Sequence, residues 1–252
     1  MRLAFLSVDD EFAGAMQRCV YESHPEWVVG SVISTRAIYK KNAFEAFLFV
    51  WQKSGFIYLA EMARMKLLKK LLRQEEGPRP SQLAATHSCE TYWCADINHE
   101  QSLERLARWK PDLIISTNFS HYVGKNARQA ARYGTWNLHK SFLPHYRGMA
   151  PSFFALLEGA HRVGATLHVV AKGFDTGSIL TQVEIPVSEG DSIYSLNRKT
   201  SDEGGKMLSA YLNQLDLNDI RATPQPPGDW PNHTYPTQQE VSEFRRKRLR
   251  FG

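Results

Sequence analysis

A chain of 252 residues with 42% hydrophobic and 23% charged residues is long enough to bury its own core and too balanced to be fibrous or disordered. Its three cysteines, Cys19, Cys89 and Cys94, are odd in number and widely spaced, which argues against a disulfide framework and for a reducing, cytoplasmic setting. The net charge of +5 suits anionic ligands such as nucleotide phosphates or RNA without choosing among them.

Residues 2–8 form a short apolar run that reads as a buried first strand. Acids follow where a small-residue cleavage site would stand, so no secretory signal is expected. Asp9 or Asp10 caps a helix reaching about residue 23, and Val28, Val29, Val32 and Ile33 mark a second strand. The segment 43–73 is rich in Phe44, Phe47, Trp51, Phe56, Ile57 and Leu59, then basic at Lys66, Lys69, Lys70 and Arg73. A membrane span needs about 20 nearly uninterrupted apolar residues, and Glu45, Gln52, Lys53 and Gly55 interrupt this run. It reads as a long helix, or a broken pair, whose apolar face joins the core or a homodimer interface. Contact with a membrane surface is the less favoured alternative. His87, Cys89, Cys94 and His99 contain no C-x-x-C pair, so no metal site is expected.

Farther on, Asn98 and Gln101 suggest a capping box for a helix over about 99–109, followed by a buried strand at 111–116. Thr135–His139 reads as the next strand. Pro151 opens a helix that Gly159 closes. Two strands, 165–171 and 179–187, flank a turn at 173–178, and Asp191 or Ser192 starts a helix reaching about Leu212. Strands alternating with helices predict an α/β fold, a mostly parallel twisted sheet covered on both faces. The Pro-rich stretch 224–236 reads as a linker, and Thr237 with Glu240 caps a terminal helix. Its cations, Arg245, Arg246, Lys247, Arg248 and Arg250, read as a solvated basic tail because no aromatic platform accompanies them. The expected division is a main domain, 1–215, and a C-terminal extension, 216–252.

Three ordered segments carry the chemistry. The first runs Asn137-Leu-His139-Lys-Ser141-Phe-Leu143-Pro144-His-Tyr-Arg147-Gly148, the second Gly164-Ala-Thr166-Leu-His168, the third Asp175-Thr-Gly177. Asn137 and His139 leave the same face of an extended strand. Taken singly, each residue has an ordinary reading: a strand end, a core histidine, a turn carboxylate.

Together, their order and spacing resemble the formyltransferase family that uses 10-formyltetrahydrofolate, which includes methionyl-tRNA, glycinamide-ribonucleotide and amino-sugar formyltransferases. The resemblance is strong over about 112–190, looser over 1–30 and poor over 36–95. It implies a Rossmann-like fold, an N-formyltransferase, 10-formyltetrahydrofolate as co-substrate and no metal. It makes Asn137, His139 and Asp175 catalytic. On the folate side it places Ser141, Leu143, Pro144, Arg147, Gly148, His168, Val170 and Gly173, with 169–175 as the loop enclosing the pterin. Phe142 stands where a second leucine is usual.

Formyl transfer requires a donor to the developing oxyanion and a path for the amine proton. Asn137 supplies the donor. His139 donates if protonated or accepts if neutral, and Asp175 is expected to orient it and raise its pKa. The acceptor is read as a small-molecule primary amine, first a nucleotide-linked amino sugar, with Trp230 and Tyr235 available to stack on it. An amino-acid-like amine such as hydroxyornithine is the alternative, and hydrolysis of the formyl-folate another. A non-catalytic folate-binding or membrane-surface relative is the reading outside enzymes. Three acids at Asp9, Asp10 and Glu11 argue against a phosphate loop after the first strand, and so against glycinamide ribonucleotide. About forty residues follow Leu212, too few for the extra tRNA-gripping domain, so nucleic acid is not an expected partner.

Overall fold

The computed structural model describes residues 1–71 and 77–252, with residues 69 and 70 described by backbone alone. Arg73 of the basic run therefore lies outside the described residues. In chain order the elements are β1 (Leu3–Ser7), α1 (Glu11–Ser23), β2 (Val28–Ser34), α2 (Ala43–Leu71), α3 (Pro80–Thr86), β3 (Thr91–Cys94), α4 (Glu100–Trp109), β4 (Leu113–Thr117) and α5 (Lys125–Arg128). Then come β5 (Thr135–His139), β6 (Arg147–Gly148), α6 (Pro151–Leu157), β7 (Arg162–Val169), β8 (Ile179–Pro186), α7 (Ile193–Asn213), β9 (Asn232–His233) and α8 (Gln238–Arg246).

Seven strands form one sheet in the order β3-β2-β1-β4-β5-β7-β8. The first five are parallel; β7 and β8 form an antiparallel hairpin at one edge. Strand alternation explains why both faces are covered. Leu3 and Phe5 of β1 pack with Met16 and Tyr21 of α1 and Leu208 of α7, while Ala4 and Leu6 pack on the other side with Leu106 and Trp109 of α4. A third cluster joins Phe153 of α6, Leu196 of α7, Phe244 of α8 and Phe251 to Val50 and Tyr58 of α2. The rings of Phe153 and Phe244 stack at 4.6 Å, so the C-terminal helix is pinned to the body by aromatic burial.

The structure corrects the expected cap of α4, refines the reading of α2 and adds α3 and β3. The cap of α4 is His99, whose ring accepts from the Gln101 N–H, while Asn98 instead donates to Asp96 and the Tyr122 carbonyl. Of the two readings of 43–73 the broken pair holds: α2 breaks at Gly55, which takes φ 79° and ψ 173°, but its apolar residues do not all join the core. Phe44 is 68% and Phe56 73% exposed, whereas Val50 and Tyr58 are buried. Elements α3 and β3 were not foreseen. The seven residues of α3 make two short turns, and β3 buries only Cys94, so neither leaves an apolar period in the sequence.

The chain runs from β1 outward to β2 and β3, then crosses back to place β4 and β5 on the other side of β1. Strand order reverses between β1 and β4, and the carboxyl ends of the strands there open a crevice.

Candidate active site

A cavity of about 680 Å³ fills that crevice. Asp9 and Asp10 line it after β1, Asn118 after β4, and Asn137 and His139 from β5. Asp175 closes it from the turn between β7 and β8. The three polar side chains predicted to converge do converge. Asn137 Nδ2 lies 3.3 Å from Asp175 Oδ1, and His139 Nδ1 lies 3.6 Å from Asp175 Oδ2. His168 joins them, with Nε2 3.2 Å from Asn137 Nδ2 and 3.4 Å from Asp175 Oδ1.

The turn that carries Asp175 is built for it. Asp175 sits at φ 50°, in the left-handed region that aspartate tolerates better than most residues. Its Oδ2 accepts the Gly148 N–H at 2.7 Å. At Gly177 a Cβ would stand 1.6 Å from the Val169 carbonyl oxygen, so only glycine passes there. The register of β5 against β7 is held by Thr166, which is fully buried. Its hydroxyl donates to the Ser141 carbonyl at 2.7 Å and accepts from the Leu143 N–H at 3.1 Å.

Burial is the dominant influence on His139 and lowers its pKa, outweighing the opposing pull of Asp175. Asp175 thus acts upward on His139 as expected, but burial outweighs it and favours the neutral ring. Burial also acts to raise Asp175, but His139, His168 and the Gly148 N–H together bring its carboxyl well below the ordinary range. The Gly148 and Asn137 hydrogen bonds favour the carboxylate whatever the charge on His139. His139 Nε2 lies 3.1 Å from the Tyr146 carbonyl, which can only accept, so Nε2 bears the proton. The lone pair of a neutral His139 is then on Nδ1, facing the carboxylate. A proton taken up at Nδ1 would place an imidazolium between that carbonyl and Asp175.

His168 Nδ1 donates to the Val169 carbonyl at 2.9 Å. In the neutral ring Nε2 accepts from Asn137. Both hydrogens of the Asn137 amide therefore point at partners inside the site.

A family model described as formyl transferase matches residues 61–212. This chain belongs to that family. A methionyl-tRNA formyltransferase of Geobacillus sp. is 35% identical over 144 residues, 57% of this chain and 45% of the relative. One from Halalkalibacterium halodurans is 35% identical over 129 residues, 51% of this chain and 41% of the relative. The chain spans about half the length of the curated relatives it matches. Among solved structures, glycinamide ribonucleotide transformylase 1 from Symbiobacterium toebii aligns with a TM-score of 0.60 at 18% identity, covering 90% of this chain and 94% of that one. An N-formyltransferase from Helicobacter canadensis, solved with folinic acid and dTDP-3-aminofucose, aligns at 0.59 and 16% identity, covering 90% and 68%. At such identities these likenesses show the fold, an α/β formyltransferase fold.

The residues assigned to the folate side separate into two groups. Gly148, His168, Val170 and Gly173 line the cavity. Ser141, Leu143, Pro144 and Arg147 do not: they build the loop beneath it. Ser141 donates to the His145 carbonyl, Leu143 is held by Thr166 and Gln182, and Pro144 is buried. Arg147 reaches Gln225 at 3.2 Å. Of the two proposed stacking residues, Tyr235 lines the cavity, whereas Trp230 turns away to the Pro226 carbonyl.

Gln225 was missed by sequence reasoning, because it lies in the stretch that reads as linker. Its amide donates to the carbonyls of Asp175 at 2.7 Å and Gly177 at 2.8 Å while its oxygen accepts from Arg147. Pairing of β6 with β9 brings this stretch back to the first motif. Gln225→Ala is expected to reduce turnover by about 10-fold through a looser Asp175 turn, with the melting temperature within a few degrees of the parent. Steady-state kinetics beside thermal unfolding check this; unchanged turnover would remove Gln225 from the site's support.

Lys140 and His121 also line the cavity and carried no signal strong enough to single them out. Lys140 lies 5.0 Å from the Phe12 ring, and burial lowers its pKa against the attraction of Asp10. Burial raises Asp10, which Lys140 opposes; its carboxylate caps α1 through the Ala13 N–H and accepts from Asn118. Asp9 is tied to Ser81. Asp9 and Asp10 thus hold the ends of α3 and α1. Burial pushes the pKa of His121 down to about 4 against the pull of Asp96. Neutral His121 accepts the Ile97 N–H at Nδ1 and so donates from Nε2 to Ser34.

Proposed function

We propose that this chain transfers the formyl group of 10-formyltetrahydrofolate to a primary amine. The observation that carries the reading is the convergence of Asn137, His139 and Asp175 at one cavity mouth. In this reading the folate occupies the 680 Å³ cavity, with the 169–175 segment against its pterin. The amine nitrogen attacks the formyl carbon, and the oxyanion accepts an N–H from Asn137. His139 Nδ1 takes the proton that the amine loses, and Asp175 stabilises the resulting imidazolium. The C–N bond to folate then breaks, and the proton passes to the departing folate nitrogen. Asp175 serves as an electrostatic anchor and stays ionised throughout, in keeping with its lowered pKa.

For the acceptor we propose a small amine, first a nucleotide-linked amino sugar. A second cavity of about 960 Å³ adjoins the first and shares Asp9, Asp10, Met149, Ala150, Asn197 and Tyr235 with it. That space suits a substrate whose amine enters the catalytic mouth while its body rests outside. The structural likeness to an enzyme solved with dTDP-3-aminofucose supports the same choice.

Release of tetrahydrofolate from 10-formyltetrahydrofolate, followed with a panel of acceptors, tests both levels. The panel holds nucleotide-linked amino sugars, hydroxyornithine and methionyl-tRNA. Turnover that depends on an amino sugar supports the full reading. Dependence on hydroxyornithine or methionyl-tRNA keeps formyl transfer and replaces the acceptor. Turnover with no amine makes the chain a hydrolase, and absence of folate binding removes the reaction altogether.

A further inference from the structure

Among the described residues, eight of the eleven large hydrophobic side chains left exposed belong to α2. Before Gly55 they are Phe44, Phe47 and Trp51, spaced by three and four so that they share one helix side. After it, Phe56, Leu67 and Leu71 continue an exposed apolar stripe through Ala60 and Ala63. The opposite side is buried at Ala46, Val50 and Tyr58. The broken helix therefore rests on the body by one face and offers a second apolar face to solvent. Exposed large apolar side chains gathered on one element in this way mark an interaction surface.

Charge selects what covers it. Over residues 40–71 the sequence holds seven lysines and arginines against two glutamates. Both glutamates are engaged locally, Glu45 by the Asn42 N–H and Glu61 by Arg64. This excess equals the chain's whole net charge of +5. A two-fold dimer through this face would set the same cationic segment against itself, which costs energy. An anionic surface would instead attract the lysines while the aromatic residues enter its apolar layer. No helix among the described residues is long and apolar enough to cross a membrane, so the fitting contact is superficial.

We propose that α2 docks this chain on an anionic phospholipid surface, with Phe44, Phe47, Trp51 and Phe56 entering the headgroup–acyl boundary. Tyr58, Met62, Met65 and Lys66 of the same helix line the second cavity, so the lipid contact and the cavity wall are two faces of one element. The inference stands on α2 and the two lysines just before it, Lys40 and Lys41, and does not depend on the reaction proposed above.

The test is co-sedimentation of the purified chain with phosphatidylcholine vesicles, with and without phosphatidylglycerol. The expected result is at least ~10-fold stronger partition onto the anionic vesicles, reversed by high salt, with a blue shift of Trp51 emission that the Trp51→Phe variant lacks. Phe44→Gln with Phe56→Gln, both at exposed positions, should abolish the partition and leave unfolding and tetrahydrofolate release unchanged. Equal partition onto both vesicle types overturns the proposal. So does a concentration-dependent dimer in sedimentation velocity that leaves vesicles unbound. Should the double variant misfold, the Trp51 shift in the unsubstituted chain decides the matter by itself.

Discussion

Asp175→Asn is expected to reduce turnover at least ~100-fold while the protein folds normally. The substitution is close to isosteric, and asparagine accepts the left-handed backbone at φ 50° as readily as aspartate. What it removes is charge. The carboxylate holds the Gly148 N–H with one oxygen and the Asn137 amide with the other, and faces both His139 and His168. An amide offers one acceptor oxygen in place of two and cannot stabilise an imidazolium at His139. The loss should appear in kcat, with folate affinity changed little. Near-normal kcat in a variant with an unchanged melting temperature would take Asp175 out of the proton path.

His139→Gln carries the second large effect, again at least ~100-fold in turnover. Glutamine can still donate to the Tyr146 carbonyl that His139 now meets at 3.1 Å, but it cannot take up a proton. The pH profile supplies the sharper check. Burial lowers the pKa of His139, so the reactive neutral ring persists below the ordinary imidazole value of about 6.5. In the parent enzyme, kcat/KM should hold constant as pH falls through that value and drop only at lower pH. Asp175 opposes the lowering, so Asp175→Asn should move the acid limb farther toward low pH. An acid limb that moves upward in Asp175→Asn would contradict the assigned electrostatics.

Much of the parallel core was legible in the sequence because its strands are short apolar runs bounded by caps and turns. β1 and β4 are such runs, and Ser192 and Thr237 cap their helices with side-chain bonds to the N–H three residues on. The site was legible because its key members lie in two ordered strands and one glycine-bounded turn. Its electrostatics were not. The direction of the shift at His139 depends on how completely the fold encloses the ring, which a linear motif does not encode. Gln225 and His121 reached the site by tertiary routes, one through the β6–β9 pairing and one through the loop after β4. The broken helix α2 misled for another reason. Apolar residues usually mean core, but here they occupy two sides of the helix, and only one of them has protein to rest on.

Label carried by 10-[13C]formyl-tetrahydrofolate in the presence of the accepted amine follows the transferred carbon itself. The carbon signal is expected to move to a formamide, one per tetrahydrofolate released, with Asp175→Asn and His139→Gln each slowing that conversion at least ~100-fold without loss of fold. Label recovered only as formate, or formamide produced at the parent rate by both variants, would contradict it.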